Sequence, residues 1–142
     1  AGIDIALLTD ESTIAYYAGF WGYLSVEFGR PTFLVVPAEG DPTVVTPRME
    51  SEMVSAMTWV PNIQTWEDSG PNHWGNVLTQ NLGTQRCRLG VEKAVLPSLV
   101  RMWLDDSTDS VELIDASPLI AEMRTLKSSF ESYFNSENSL LI

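Results

Sequence analysis

The runs "PTFLVVP" (31–37) and "PTVVTP" (42–47) are joined by the four residues "AEGD". β-Branched and aromatic residues suit a pleated, half-buried strand, and Gly40 with Asp41 suits a tight connection. This chain is therefore committed to an antiparallel hairpin. Everything else must pack around that pair.

The remaining segments change period. "IDIALL" near the start lacks strict alternation and predicts a strand buried on both faces. It opens so abruptly that a preceding helix is expected to be missing from the chain. "TDESTIAYYAGF" offers Thr9, Asp10 and Ser12 as caps and closes at Gly19, which predicts a short helix. After the hairpin, Thr46 and Pro47 form a helix cap and first turn, and Met49, Met53, Ala56 and Met57 then recur at helical spacing, which predicts a core-facing stripe. "NIQTWED" is a strand. Pro71 opens a helix with Trp74, Val77, Leu78 and Leu82 on one face and Gly83 as its stop. "RCRLGVE" and "SVELID" are strands. Pro97 begins a helix holding Leu99, Val100 and Trp103, and Ser117 with Pro118 begins one holding Leu119, Ile120, Met123 and Leu126. One hairpin followed by helix and strand in alternation predicts an α/β fold, with a mixed sheet of about five to six strands flanked by helices.

At 142 residues, 44% of them hydrophobic, the chain is long and apolar enough for one domain with a shared core. Nineteen acids against eight bases leave a formal net charge of -11, which repels phosphate backbones and anionic membrane surfaces. Nucleic acid and membrane partners are thereby disfavoured. A single cysteine, Cys87, excludes an intrachain disulfide framework, and no apolar run approaches the length of a bilayer span. A reducing, cytoplasmic setting is the expectation.

The sequence holds contact residues without a catalytic centre. His73, alone of its kind, stands at a helix start and reads as a solvent-facing polar group. Cys87 lies between Arg86 and Arg88, but strand alternation points both arginines away from it, so a buried inert thiol is expected. No glycine-rich phosphate loop is present, and "GFWGY" reads as close backbone packing. Adjacent acids such as Glu67 and Asp68 read as a solvated face. Arg30 remains, set between "EFG" and the apolar hairpin: it either caps a strand entrance in solvent or holds a ligand carboxylate on its planar fork. Tyr16, Tyr17, Phe20, Trp21, Tyr23 and Phe28 cluster just before it, and Trp21 and Tyr23 are the candidates for an exposed pocket wall or subunit contact.

Five stretches in order, "GIDIALLT", "TIAYYAGF", "RPTFLVVPAEGDPTVVTP", "RLGVEKAVLP" and "DASPLIAEMRTLKS", resemble the N-terminal domain shared by creatinase, prolidase and Xaa-Pro aminopeptidases. That resemblance implies a domain over residues 1–128 that lacks its first helix, with 129–142 as a linker or the start of an absent catalytic domain. The implied function is that of a non-catalytic accessory domain of a two-metal Xaa-Pro peptidase. Its implied partners are a second copy in a homodimer, the absent C-terminal catalytic domain, and a peptide or small carboxylate substrate. Two divalent ions (manganese, cobalt or zinc) would belong to the catalytic domain, since none of the family's metal ligands can be placed on this chain. In creatinase a Phe-Gly-Arg stretch at this place touches the substrate of the neighbouring subunit, and Phe28, Gly29 and Arg30 match it, which implies substrate contact by Phe28 and Arg30. The alternatives are the same domain from a creatinase-like amidinohydrolase and a free-standing binding module.

Overall fold

The computed structural model describes residues 2–21 and 29–125. The opening strand β1 (Ile5–Leu8) leads to helix α1 (Glu11–Ala18). Asp10 caps that helix by accepting from the Thr13 N–H, and Gly19 ends it at φ 78°, a left-handed conformation open to glycine at little cost. The hairpin is β2 (Phe33–Pro37) and β3 (Thr43–Pro47), and a 3-10 turn (Arg48–Glu50) precedes helix α2 (Ser51–Met57). Then come β4 (Asn62–Trp66), α3 (Trp74–Leu82), β5 (Cys87–Val91), α4 (Ser98–Ser107), β6 (Val111–Asp115) and α5 (Ser117–Thr125).

The strands form one six-stranded sheet in the order β4-β3-β2-β1-β5-β6. β2 is antiparallel to both β1 and β3, whereas β3 with β4, β1 with β5 and β5 with β6 are parallel. It follows that β2 alone runs against the other five. Its amino end therefore lies at the same sheet edge as the carboxyl ends of its neighbours. The mixed α/β sheet expected from the sequence is the sheet observed.

Alternation along the strands divides the core between two faces. Leu7, Phe33, Val35, Val45, Leu89 and Val91 face α3 and α4, meeting Trp74, Leu78, Val100 and Leu104. Leu8, Leu34 and Val44 face the other way, against Ile14 and Ala18 of α1, Val54 of α2 and Ile120 of α5. Helices thus cover both sides, and truncating a fully buried member such as Leu78 to alanine would cost about 2–5 kcal/mol. On the first face α3 and α4 approach so closely that a Cβ at Gly75 would fall inside the Trp103 indole. Among the described residues no helix is long and apolar enough to cross a membrane.

Several local expectations are corrected. The methionine stripe is not core: Met49 is 71% and Met57 48% exposed, while Val54 is the side chain of α2 that is fully buried. Thr46 and Pro47 complete β3 instead of starting a helix, because the ladder to Trp66 continues through them. Helix α3 begins at Trp74, not Pro71, since the chain first turns at Gly70 (φ 83°) and His73 then supplies the cap. Leu99, Leu119 and Met123 are partly exposed, and each helix reaches the core through a narrower stripe centred on Val100 or Ile120.

Candidate site at the rim of the sheet

Sheet register brings the polar groups around Arg30 together. The antiparallel pairing of Phe33 with Val45 brings the entrance of β2, just after Arg30, to the end of β3, where Arg48 opens the 3-10 turn. The parallel pairing of Pro47 with Trp66 brings Glu67 and Asp68, just after β4, to the same end of the sheet. Two arginines gathered there would repel, and these acids relieve them. Arg30 Nη2 donates to Asp68 Oδ2 at 2.7 Å, and Arg48 Nη1 pairs with Glu67 Oε1. These groups rim a hollow of about 540 Å³ whose floor includes Trp66 and Pro47.

The chain enters this rim in a fixed way. Gly29 turns at φ 68°, and Pro31 biases Arg30 toward an extended backbone. The buried Trp66 indole N–H donates to the Pro31 carbonyl at 2.8 Å, tying the strand entrance to the end of β4. The ion pairs themselves are loose. The side chains of Arg30 and Asp68 are 31% and 64% exposed, and surface pairs of this kind contribute about 0–1 kcal/mol. The rim therefore presents two guanidiniums on a rigid frame with partners that exchange cheaply.

Trp21 is 54% exposed, just beyond the buried Phe20. Tyr23 and Phe28 lie outside the described residues. Tyr16 packs edge-on against Tyr17 and lies 4.7 Å beneath the Arg124 guanidinium. His73 caps α3, its Nδ1 accepting from Gly75 N–H at 3.2 Å, and its ring lies against Trp74 and Trp103. Cys87 is buried with Arg86 and Arg88 exposed, and burial, reinforced by Asp4, pushes its thiol above the ordinary range. Glu67 and Asp68 do face solvent, but sequence reasoning missed their pairing with Arg48 and Arg30, partners 19 and 38 residues away. The only available signal was the strand register, which no local pattern encodes.

Two other features stand apart from Arg30. At the carboxyl ends of β1, β5 and β6 lie Asp10, Glu92 and Asp115. Glu92 Oε2 accepts from the Thr13 hydroxyl at 3.1 Å, and burial raises its carboxyl, with Asp10 adding to the effect. On the α1 and α5 face an apolar groove of about 380 Å³ is lined by Ile3, Leu8, Tyr17, Val36, Trp59 and Met123. Among the described residues no three His, Cys, Asp or Glu side chains group as metal ligands. These residues therefore do not fit a two-metal centre.

Residues 1–126 match the creatinase/prolidase N-terminal domain family. The sequence is 26% identical over 140 residues to an agropine synthesis cyclase of Rhizobium rhizogenes, covering 89% of this chain and 33% of that protein. The fold resembles a proline dipeptidase structure from Streptococcus pneumoniae, with a TM-score of 0.71, 25% identity, and coverage of 88% of this chain and 89% of that one. It also resembles a prolidase from Thermococcus sibiricus, with a TM-score of 0.73, 24% identity, and coverage of 93% of this chain and 35% of that one. The chain thus spans about a third of the length of the curated relative and of that prolidase.

Proposed function

The chain belongs to the creatinase/prolidase N-terminal domain family, and from that premise we propose that it is the accessory domain of a larger Xaa-Pro peptidase. In this reading the catalytic centre, with its pair of divalent ions, lies in a part of the parent protein outside this chain. The domain contributes to dimerisation and helps enclose the substrate bound by the neighbouring subunit. Arg30 supplies a guanidinium to a substrate carboxylate, Phe28 is the second substrate-contacting residue, and Trp21 and Tyr23 contribute to the contact surface. Residues 1–128 form the accessory unit and 129–142 lead out of it.

One observation supports Arg30 above any other described residue. Its guanidinium stands at the rim, on a frame fixed by the bond from Trp66 to Pro31, and among the described residues its partners are the exposed Asp68 carboxylate and the Met49 sulfur. A planar guanidinium in that position can take a second carboxylate through two parallel hydrogen bonds. A creatinase-like parent acting on a small carboxylate is the second reading. It is favoured by the Phe28-Gly29-Arg30 match and by the curated relative, which bears the name of a cyclase and not of a peptidase.

The test is Arg30→Ala in the full-length parent, assayed with a proline-containing dipeptide and with creatine. A raised KM for the carboxylate-bearing substrate supports the contact, and the substrate that turns over identifies the class. Unchanged KM and kcat would leave Arg30 as a solvent-facing cap.

A further inference from the structure

The guanidinium that this reading assigns to a substrate already holds a carboxylate. Asp68 Oδ2 accepts from Arg30 Nη2 at 2.7 Å, while Nη1 faces the Met49 sulfur at 3.4 Å. Sulfur is a weak acceptor, so among the described residues the fork is satisfied well on one tine and poorly on the other. A ligand carboxylate engaging both tines would make two charge-assisted bonds in place of one. Arg48 does not compete for Asp68, because Glu67 holds it. The side chain of Asp68 is 64% exposed, in the range where an ion pair biases an equilibrium by only about two- to five-fold. Displacement is therefore cheap.

We propose that Asp68 is a resident carboxylate for Arg30, a positioning residue that keeps the guanidinium at the rim until a ligand carboxylate replaces it. This deepens the proposed function and rests on its reading of Arg30. It also makes the site selective. A neutral amide cannot repay the loss of Asp68, so the group recognised must be an ionised carboxylate.

The experiment uses the chain of 142 residues with 15N-labelled arginine side chains. The Arg30 Nε–Hε signal, identified by its loss in Arg30→Lys, is followed while sodium acetate replaces sodium chloride at constant ionic strength. Asp68→Asn should bind acetate about two- to five-fold more tightly than the unaltered protein. Glu67→Gln makes the same charge change on the neighbouring residue and should tighten binding less. Acetamide should move nothing.

If Asp68→Asn and the unaltered protein bind acetate equally well through Arg30, the carboxylate reading of Arg30 survives and the displacement by ligand is overturned. Equal tightening by Glu67→Gln would also overturn it, since a general change of field would then suffice. If acetate leaves Arg30 unmoved in every variant, both the displacement and the underlying reading fail.

Discussion

The Trp66 indole N–H donates to the Pro31 carbonyl at 2.8 Å inside the fold, although the two residues are 35 positions apart. Trp66→Phe keeps the aromatic bulk and removes the donor. A buried carbonyl left without its partner costs about 1–3 kcal/mol. The unfolding free energy should fall by that amount, read as a lower urea midpoint at unchanged slope. A loss well under 0.5 kcal/mol would show water taking the place of the indole.

Gly75 lies beneath the Trp103 ring, whose Nε1 donates to the Thr79 hydroxyl at 3.2 Å. Alanine is favoured over glycine in a helix by about 1 kcal/mol, but overpacking costs about 1–3 kcal/mol. Overpacking should win, so Gly75→Ala is expected to lower the melting temperature, and Trp103→Leu in the same chain should recover part of the loss. A Gly75→Ala protein that melts higher would mean that the indole swings aside freely.

Cys87 should resist thiol reagents. It is 4% exposed, and burial with the nearby Asp4 charge holds the thiol above its ordinary value of 9.0. Labelling of the folded protein is expected to be slower than in urea by roughly two powers of ten or more, because it waits on opening of the core. Rapid labelling at neutral pH in the folded state would contradict the burial.

Glu92 and Asp10 should tilt stability in opposite directions with pH. Burial raises the Glu92 carboxyl above 4.5; the Thr13 bond opposes this, Asp10 supports it, Arg124 opposes it and Asp115 supports it. The folded protein therefore holds that proton more tightly than the unfolded chain, and the contribution is complete below the ordinary value and lost as pH rises through the raised one. Relative to the unaltered protein, Glu92→Gln should gain stability between pH 4 and pH 7.5, measured as urea midpoints. A difference that stays flat with pH would contradict the shift. Asp10 is lowered, chiefly by the Ser12 hydroxyl, so its contribution is present at neutral pH and fades as pH falls through the lowered value. Asp10→Ala should cost about 1 kcal/mol at neutral pH and less in acid.

The hairpin and the face of α3 were legible because their periods are local. Pro31 to Pro47 states its strands and turn within one short stretch, and Trp74, Val77, Leu78 and Leu82 recur at the spacing that buries them. The methionine stripe misled because α2 is a short helix of seven residues beginning after a 3-10 turn. Periodicity marks which residues share a face, but not which face meets the sheet. Arg30 was legible as an isolated charge, whereas its partnership with Asp68 depends on two strand registers acting together. Glu92 was invisible as a perturbed acid, since Thr13 and Asp10 reach it through the parallel pairing of β1 with β5, strands far apart in the chain.

The lone reversed strand also sets the Arg30 rim and the hairpin turn at opposite ends of the sheet. Because β2 descends while β3 climbs, the exposed turn from Ala38 to Asp41 lies at the sheet edge opposite Arg30. A fluorophore or affinity tag inserted at Gly40 would stand a full strand length from the rim. Immobilised through that turn, the domain would offer the edge that carries Arg30 to whatever solution flows past.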